Sequence, residues 1–528
     1  MKMLNILLCL MLAVPVVQAK EKVDEKVWGP MMARGVPQWA KDAKFGIYAH
    51  WGVYSVSGAW DYASPNWAND YICAYQRFYH TNPKNHMRVQ FEKNVGPIAE
   101  GFGYKDLAKQ FTAEKFDPDY WADLMVRSGA KYAGICAIHH DGYAMWDSDV
   151  IDFCAGKLGP QRDLLGEMMA AIKDRGLKTF TSFHHARTYK QFQNITKRLK
   201  SKPALAQADL LDPNLRNLYW YAGDEETFAD IRYKLTKEVI DKYQPDSIWF
   251  DGGGGKYGTE VVLNDFFNMG DAAGKEVVVH NKGNFPEKFG VYSYENGHAR
   301  PLYIDWPWED DTPSAVGWCD WPWFKGIEYK QPRDIVVRLC DLVARNGGLL
   351  LSMNPRPDGT LDQGQVDLLE GIGSWLSVNG EAIYATVPWK IFAEGHTGML
   401  KYFQTRQDGK KSRGIQPDPK RLDWTDVRFT RNGENLYATV LGIPPSGKVN
   451  IKSLSEQTSV STSNKIKSIA LLGHGSVEWS RSAAGLQIQL PQKLPNEWAL
   501  SFKITVDGEL DKSKPAVDGS RMKLPKQT

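Results

Sequence analysis

Apolar runs that end at polar residues alternate with amphipathic helices through roughly the first 385 residues. Strand-like runs are predicted at residues 44–50, 131–140, 177–186, 247–251, 276–281, 291–295 and 348–353. Helices with apolar residues at helical spacing are predicted at 163–175, 227–243 and 335–345. This repeated strand–helix order predicts a parallel (β/α) barrel over residues 20–385. The helical signal is weak between Phe285 and Lys330, so we expect an irregular barrel there.

The pattern changes after residue 385. Short alternating runs separated by Gly, Pro, Ser and Asn predict strands at residues 436–441, 448–451, 466–472 and 485–490. This spacing is typical of an antiparallel β-sandwich, which we assign to residues 386–505. Residues 506–528 form a polar tail rich in Lys and Pro.

The first 19 residues have the layout of a cleavable secretory signal. Lys2 is followed by an apolar run over residues 6–17, and Val17-Gln18-Ala19 offers a small-residue cleavage site. The run is shorter than the roughly 20 residues that a membrane span requires. We therefore expect a secreted or periplasmic protein, and no later segment is apolar enough to cross a bilayer.

Composition excludes some functions. The net charge is +3, and no basic stripe interleaved with aromatic residues is present, so we expect no nucleic-acid partner. The five cysteines after the signal have neither disulfide-framework nor zinc-ligand spacing. Nineteen tryptophans suit contact with carbohydrate, although most tryptophans in any protein pack in its core. The sequence does not indicate an oligomeric state.

The segment 246–255, DSIWFDGGGG, is the strongest candidate for chemistry. Trp249 and Asp251 share one face of a strand, because side chains alternate along it. They project together at the strand's carboxyl end, where barrel enzymes build their active sites. An aromatic ring beside a carboxylate suits a pyranose, which needs a stacking surface and a group that acts at its anomeric carbon.

Seven of the eleven histidines lie near predicted strand ends, which indicates one shared pocket. They are His50, His139, His140, His184, His185, His280 and His298. Adjacent residues on a strand point to opposite faces, so the His139-His140 pair predicts sugar hydroxyl recognition rather than a metal site. The glycines after Asp251 lack the sequence context of a phosphate-binding loop. We expect no metal and no cofactor.

Five motifs in order make the chain resemble the glycoside hydrolase family that contains the α-L-fucosidases. They are AKFGIYAHWGVYSV, GAKYAGICAIHHDGYAMWDS, QPDSIWFDG, GGLLLSMNPRPDGTL and VNGEAIYAT, within a resemblance that covers roughly residues 27–505. The resemblance implies a barrel-like catalytic domain followed by a β-sandwich. It also implies hydrolysis with retention of configuration and without a metal.

Residue roles follow from the same resemblance. Asp251 is similar to the family's nucleophile, and Glu295 falls where the family places its acid/base, with Glu309 as the runner-up. Lys282 occupies the position of a family arginine. The residues implied to contact the sugar are His50, Trp51, His139, His140, Phe183, His184, His185, Trp249 and Lys282.

The chain departs from the family pattern in its sugar-binding residues. Cys73-Ala74 stands where the family carries a Glu-Trp pair, and Ile138 replaces a lysine. The leading prediction is a secreted, exo-acting, retaining α-L-fucosidase that acts on fucosylated glycans. The alternatives are a hydrolase of α-L-galactosides or sulfated fucosides, a non-catalytic carbohydrate-binding protein, and, ranked last, a metal-dependent hydrolase that uses the histidines.

Overall fold

A computed structural model describes residues 24–58, 78–251, 257–283, 285–296, 303–317, 320–395, 403–405, 411–413 and 422–515. The expected signal at residues 1–19, Cys73-Ala74, the glycines at 252–255, His298 and most of the polar tail lie outside the described residues.

Eight parallel strands close into a barrel in chain order, which confirms the predicted fold class. The strands are β1 (Phe45–Ala49), β2 (Tyr132–Ile138), β3 (Lys178–Phe183), β4 (Ser247–Phe250), β5 (Val278–Asn281), β6 (Val291–Glu295), β7 (Trp308–Pro313) and β8 (Gly347–Met353). Because all strands are parallel, their carboxyl ends meet at one mouth of the barrel.

Eleven α-helices lie in the described part of the chain, most of them between the strands. They are α1 (Glu25–Ala33), α2 (Gln38–Ala43), α3 (His86–Asn94), α4 (Tyr104–Ala108), α5 (Pro118–Arg127), α6 (Leu164–Asp174), α7 (Thr188–Lys200), α8 (Glu225–Tyr243), α9 (Thr259–Ala272), α10 (Pro332–Ala344) and α11 (Gln363–Asn379). No described residue between β5 and β7 is helical, in agreement with the irregularity expected there.

Local sequence sets the helix boundaries. Asp163 and Asp224 cap α6 and α8, each accepting a hydrogen bond from a backbone N–H three residues later, at 2.9 and 2.8 Å. The helix α8 ends at Gln244, which adopts a left-handed conformation with φ of 47°. The apolar faces of these helices then cover the outside of the barrel.

The barrel interior requires a glycine where an aromatic ring crosses it. A Cβ atom at Gly46 of β1 would lie 2.2 Å from the ring of Tyr132 on the neighbouring strand. With Gly46, that ring joins Tyr48, Phe180, Trp249 and Leu350 in a cluster of buried residues. These side chains fill the middle of the barrel.

Strand β7 was not predicted, because its sequence WEDDTP lacks the apolar pattern of a buried strand. The structure buries all six residues and gives its acids polar partners. Asp310 points outward to Arg338, 2.5 Å away, and Asp311 points inward to the hydroxyl of Tyr48, 2.9 Å away. Paired carboxylates thus replace the usual aliphatic side chains.

The antiparallel strands after the barrel also follow the prediction. They are β9 (Val387–Glu394), β10 (Phe403–Thr405), β11 (Lys411–Arg413), β12 (Val427–Asn432), β13 (Asn435–Val440), β14 (Lys448–Ile451), β15 (Lys465–Leu471), β16 (Gly475–Ser476), β17 (Trp479–Ser482), β18 (Gly485–Gln489) and β19 (Leu500–Asp507). A six-stranded sheet in the order β16-β15-β19-β13-β12-β9 and a three-stranded sheet in the order β14-β18-β17 enclose an aliphatic core.

Buried ionic contacts join this sandwich to the barrel. Asp341 of α10 lies 3.1 Å from Arg345 of its own helical segment and 2.6 Å from Arg428 of β12. In addition, the indole N–H of Trp375 on α11 donates to the carbonyl of Ala499, at 3.0 Å. The two parts of the chain therefore share a desolvated interface.

Among the described residues, no helix has both the length and the apolar character needed to cross a membrane.

Candidate active site

The polar side chains expected to form one pocket converge at the carboxyl ends of the barrel strands. Each comes from the last residue of a strand or from the one or two residues that follow it. These residues are His50 after β1, His139 and His140 after β2, His184 after β3, Asp251 after β4, Lys282 after β5 and Glu295 at the end of β6.

Asp251 is held by three side chains and by its own backbone. Its N–H donates to the carbonyl of Phe183 on β3, at 3.0 Å, which continues the sheet past β4. One carboxylate oxygen, Oδ1, accepts a hydrogen bond from Lys282 Nζ at 2.6 Å. The other, Oδ2, lies 3.4 Å from both His140 Nε2 and His184 Nδ1. The carboxylate is thus fixed in one orientation on a rigid element.

The partners of Asp251 decide its ionisation. Burial by itself would raise the pKa of this carboxyl. The charge of Lys282 and the hydrogen bonds from His140 and His184 outweigh burial, so the pKa of Asp251 lies well below its usual range. These contacts therefore favour the ionised form of Asp251.

Lys282 links two carboxylates. Its Nζ atom lies 2.6 Å from Asp251 Oδ1 and 2.7 Å from Glu295 Oε2, and 5.1 Å from the centre of the Trp249 ring. Burial disfavours the ammonium, but Asp251 and Glu295 outweigh this effect and raise the pKa of Lys282 above its usual value. A permanent cation therefore lies between the two predicted catalytic residues.

The histidines are held by serines and by one another. His50 Nδ1 lies 2.8 Å from Ser352 Oγ, and His184 Nε2 lies 2.9 Å from Ser182 Oγ. The ring of His139 stacks on that of His184, with centroids 4.6 Å apart. Burial lowers the pKa of His184 to about 4 and those of His50 and His139 well below the usual value. Neutral imidazoles both donate and accept hydrogen bonds, as sugar hydroxyls require.

The orientation expected for His139 and His140 is wrong. Adjacent residues alternate only within a strand, and β2 ends at Ile138, after a shift in its register with β3 between Cys136 and Ile138. Both imidazoles therefore reach the pocket: His139 contacts His184, and His140 contacts Asp251.

Several donor atoms of the pocket are close enough to share a metal ion. The groups His50, His139, His184 and His140, His184, Asp251 each have one donor atom per residue within 4.8 Å of the others. In the second group, the donor atoms are close together because Asp251 contacts both His140 and His184. The geometry is thus compatible with a metal, whereas Lys282 already supplies a positive charge to Asp251.

Three residues expected to contact the sugar lie elsewhere. Trp51 packs against Phe111, Phe116 and Trp121 and donates its indole N–H to the carbonyl of Arg356. Its position after β1 turns the side chain outward, into the layer between the barrel and the helices, so it is a core residue.

Phe183 and His185 also point away from the pocket. Phe183 stacks on Phe250 with ring centroids 5.3 Å apart, because both belong to the outward faces of β3 and β4. His185 is fully buried beside Phe183 and Trp220. The polar residue that β3 gives to the pocket is His184, since the inward face carries every second side chain.

The two candidates for the acid/base differ in depth and in partners. Glu295 keeps 23% of its side chain exposed and contacts Lys282. Glu309 keeps only 3% and lies two residues below the level of Asp311, where it accepts hydrogen bonds from Tyr132 and interacts with His280, each at 2.7 Å. Only Glu295 shares a partner with Asp251, so the geometry favours it.

Sequence reasoning missed Asp311 and assigned no role to Ser182, Ser352 or Tyr48. The register places Asp311 of β7 directly beside Glu295 of β6. The alternation of the segment WEDD would have put Glu309 and Asp311 on one face, had the strand been recognised. In addition, Trp321 is buried and lies 4.9 Å from the His50 ring, centre to centre.

A cavity of about 380 Å³ lies at the opposite, amino-terminal mouth of the barrel. Its lining includes Lys44, Trp306, Glu309 and Gly348, which stand near the beginnings of their strands. None of the residues around Asp251 reaches it, so the cavity is separate from the candidate active site.

Comparison with known families agrees with this architecture. A family model described as alpha-L-fucosidase matches residues 10–381, and one described as alpha-L-fucosidase C-terminal domain matches residues 423–505. The tissue alpha-L-fucosidase of Mus musculus is 28% identical over 499 residues, covering 90% of this chain and 94% of that protein. The plasma alpha-L-fucosidase of Homo sapiens is 27% identical over 504 residues, covering 91% and 92%.

Solved structures show the same arrangement. The Thermotoga maritima alpha-fucosidase in complex with fucose is 25% identical with a TM-score of 0.66, over 90% of this chain and 98% of that chain. Alpha-L-fucosidase isoenzyme 1 from Paenibacillus thiaminolyticus is 21% identical with a TM-score of 0.61, over 89% and 98%, and supports the fold alone.

Proposed function

Because the chain belongs to the α-L-fucosidase family and is therefore a glycoside hydrolase, we propose that it removes terminal α-L-fucose from glycans with retention of configuration. In this proposal Asp251 is the nucleophile and Glu295 is the acid/base.

The observation that carries the proposal is the bridge between Asp251 and Glu295. Lys282 Nζ is 2.6 Å from one carboxylate and 2.7 Å from the other, so the two bonded oxygens are at most about 5.3 Å apart, the sum of both distances. Retaining enzymes separate their carboxyls by about 5–5.5 Å, whereas inverting enzymes need about 6.5–9.5 Å for an intervening water. The spacing therefore supports retention.

Asp251 suits the role of nucleophile. It is an anion beside a pocket of neutral imidazoles, and His140 and His184 orient one oxygen while Lys282 holds the other. Attack by one oxygen on the anomeric carbon would form a glycosyl ester, and the bond to the leaving oxygen would break. The negative charge of Asp251 is lost in that step.

Glu295 would protonate the leaving oxygen and then take a proton from the water that cleaves the ester. Lys282 contacts both carboxylates, so it can stabilise whichever of the two carries the charge at each stage. His50, His139 and Trp249 would contact the sugar ring and its hydroxyls.

The first experiment compares hydrolysis of 4-nitrophenyl α-L-fucoside with that of the α-L-galactoside. We expect fucoside turnover that is abolished in Asp251→Ala and persists in Glu309→Gln, whose carboxyl lies in the lower barrel. Proton NMR of the first-formed sugar should show the α-anomer.

Cleavage of the galactoside alone would overturn the fucoside assignment and leave the retaining chemistry standing. Formation of the β-anomer would overturn retention. Sugar binding without turnover of any glycoside would instead favour a carbohydrate-binding role.

We also propose that residues 1–19 direct export and are removed, which is supported by Lys2, the apolar run and the Val17-Gln18-Ala19 site. Amino-terminal sequencing of the protein recovered outside the cytoplasm should begin at Lys20. A product that begins at Met1 would contradict this proposal.

A further inference from the structure

Asp311 is a buried carboxyl in the site to which the proposed chemistry assigns no role. It lies on β7 in register with Glu295 of β6, and parallel strands place register partners side by side on one face. The hydroxyl of Tyr48 on β1 donates a hydrogen bond to Asp311 Oδ1 at 2.9 Å. The side chain is almost fully buried.

The surroundings of Asp311 contain more negative than positive groups. Glu295 acts on it from the neighbouring strand β6, Lys282 from the residue after β5, Glu309 from its own strand, and Tyr48 from β1. Asp251, which follows β4, binds the same ammonium of Lys282. One lysine does not balance the charges of Asp251, Glu295 and Asp311 together, because like charges at close range disfavour each other's ionisation.

We propose that Asp311 is a positioning residue that shares one proton with Glu295, so that the two carboxyls act as a pair. This inference rests on the proposed role of Glu295 as the acid/base. The pair belongs to the same chemistry as carboxyl dyads, in which two adjacent acids hold a single proton.

The charges balance through the reaction. At rest, Asp251 and Lys282 neutralise each other, and the pair holds one proton and one negative charge. Glu295 gives the proton to the leaving oxygen as Asp251 forms its ester, so Lys282 then faces two carboxylates of the pair. Water attacks the ester, its proton returns to the pair, and Asp251 is again an anion. The net charge is the same in each state.

Burial supports this assignment. It raises the pKa of Asp311 well above its usual range, although Lys282 and the Tyr48 hydroxyl act against it, and a negative Glu295 raises it further. Burial and the negative charge of Glu295 thus both favour a proton on Asp311.

The test is the pH dependence of kcat/KM on the aryl α-L-fucoside for the wild type, Asp311→Asn and Glu309→Gln. Asn keeps the shape and the bond from Tyr48 but cannot hold the shared proton or repel Glu295. We expect the basic limb of Asp311→Asn to move to lower pH by about one unit. The matched control Glu309→Gln removes a buried carboxyl from the same strand that acts on Asp311 more weakly than Glu295 does, so it should move that limb by less than Asp311→Asn does.

A second variant should move the basic limb of the pH profile in the opposite direction. Tyr48→Phe removes the hydrogen bond that stabilises ionised Asp311, so the basic limb should move to higher pH. This variant keeps both carboxyls and so tests the proposal even if Asp311→Asn does not fold.

An even loss of activity at all pH values in Asp311→Asn, with the basic limb unmoved, would show a merely structural role and overturn the proposal. An equal shift in Glu309→Gln would also overturn it. Infrared difference spectra provide a readout that needs no turnover: a protonated-carboxyl band present in the wild type at neutral pH should be absent in Asp311→Asn. If the wild type cleaves no fucoside, the proposed function fails, and the infrared titration still tests the pair.

Discussion

The lower and upper layers of the barrel interior each hold a glutamate, but the two carboxyls differ in their exposure and in their partners. In the lower layer, Glu309 contacts Tyr132 through one oxygen and His280 through the other, and almost none of the side chain is exposed. In the upper layer, Glu295 shares the ammonium of Lys282 with Asp251 and keeps 23% of its side chain exposed. The structural carboxyl of Glu309 thus has both oxygens bonded to neighbouring side chains. The carboxyl of Glu295 shares its partner with Asp251 and is partly exposed, which leaves room for a substrate.

The sharpest way to break this comparison is to remove the same charge from each layer. We expect Glu295→Gln to lower kcat by about 10² to 10⁴-fold, because general acid catalysis is lost. Glu309→Gln should retain most of the activity and lose about 1–3 kcal/mol of unfolding free energy, since a buried hydrogen-bond network is disturbed. Steady-state kinetics and urea unfolding measure the two effects.

Azide, an external anion, provides a control for the comparison of Glu295 with Glu309. Azide should restore turnover to Glu295→Ala by attacking the glycosyl ester, and should not affect Glu309→Ala. A larger kinetic loss at Glu309 than at Glu295 would reverse the assignment of the two layers.

A second prediction concerns the cation that distinguishes the upper layer. Lys282→Met should lower kcat/KM by about 10²-fold or more, because Asp251 and Glu295 lose their shared ammonium and repel each other. Lys282→Arg should recover part of the loss, since a guanidinium keeps the charge. Equal kcat/KM values for Lys282→Met and Lys282→Arg would contradict the bridging role of Lys282.

Acid titration should act mainly on the upper layer. The folded-state pKa of His184 is about 4, below the unfolded value of 6.5, so the unfolded chain binds the proton more readily between these values. The contribution of His184 to the free energy of unfolding is therefore full above about pH 6.5. It falls by roughly 3 kcal/mol as the pH decreases to about 4. Thermal unfolding should show the loss, and His184→Asn should reduce it.

The smallest effect is expected from metal removal. Lys282 already supplies the positive charge at Asp251, so dialysis against EDTA should leave kcat/KM within experimental error. Restoration of lost activity by a divalent ion would instead assign the histidine groups to a metal.

The sequence predicted the barrel, the sandwich and the strand ends that build the pocket, because apolar runs and their terminal polar residues are local signals. It failed at β7, where acids are buried by distant partners such as Arg338 and Tyr48. It also failed at Trp51 and Phe183, since proximity to a strand end does not determine which face a side chain takes. The burial of an acid and the face that a side chain takes depend on contacts with residues far away in the chain, so the local sequence does not predict them.

The contact of Asp341 with Arg428 has a consequence for how this chain can diversify. An acid of the barrel is matched to an arginine of the sandwich across a desolvated junction, at 2.6 Å. A gene fusion that exchanged the sandwich for an unrelated domain would remove this partner from Asp341 and also the Ala499 carbonyl from Trp375. The two parts are therefore expected to be inherited as a unit, with Asp341 and Arg428 changing together or not at all.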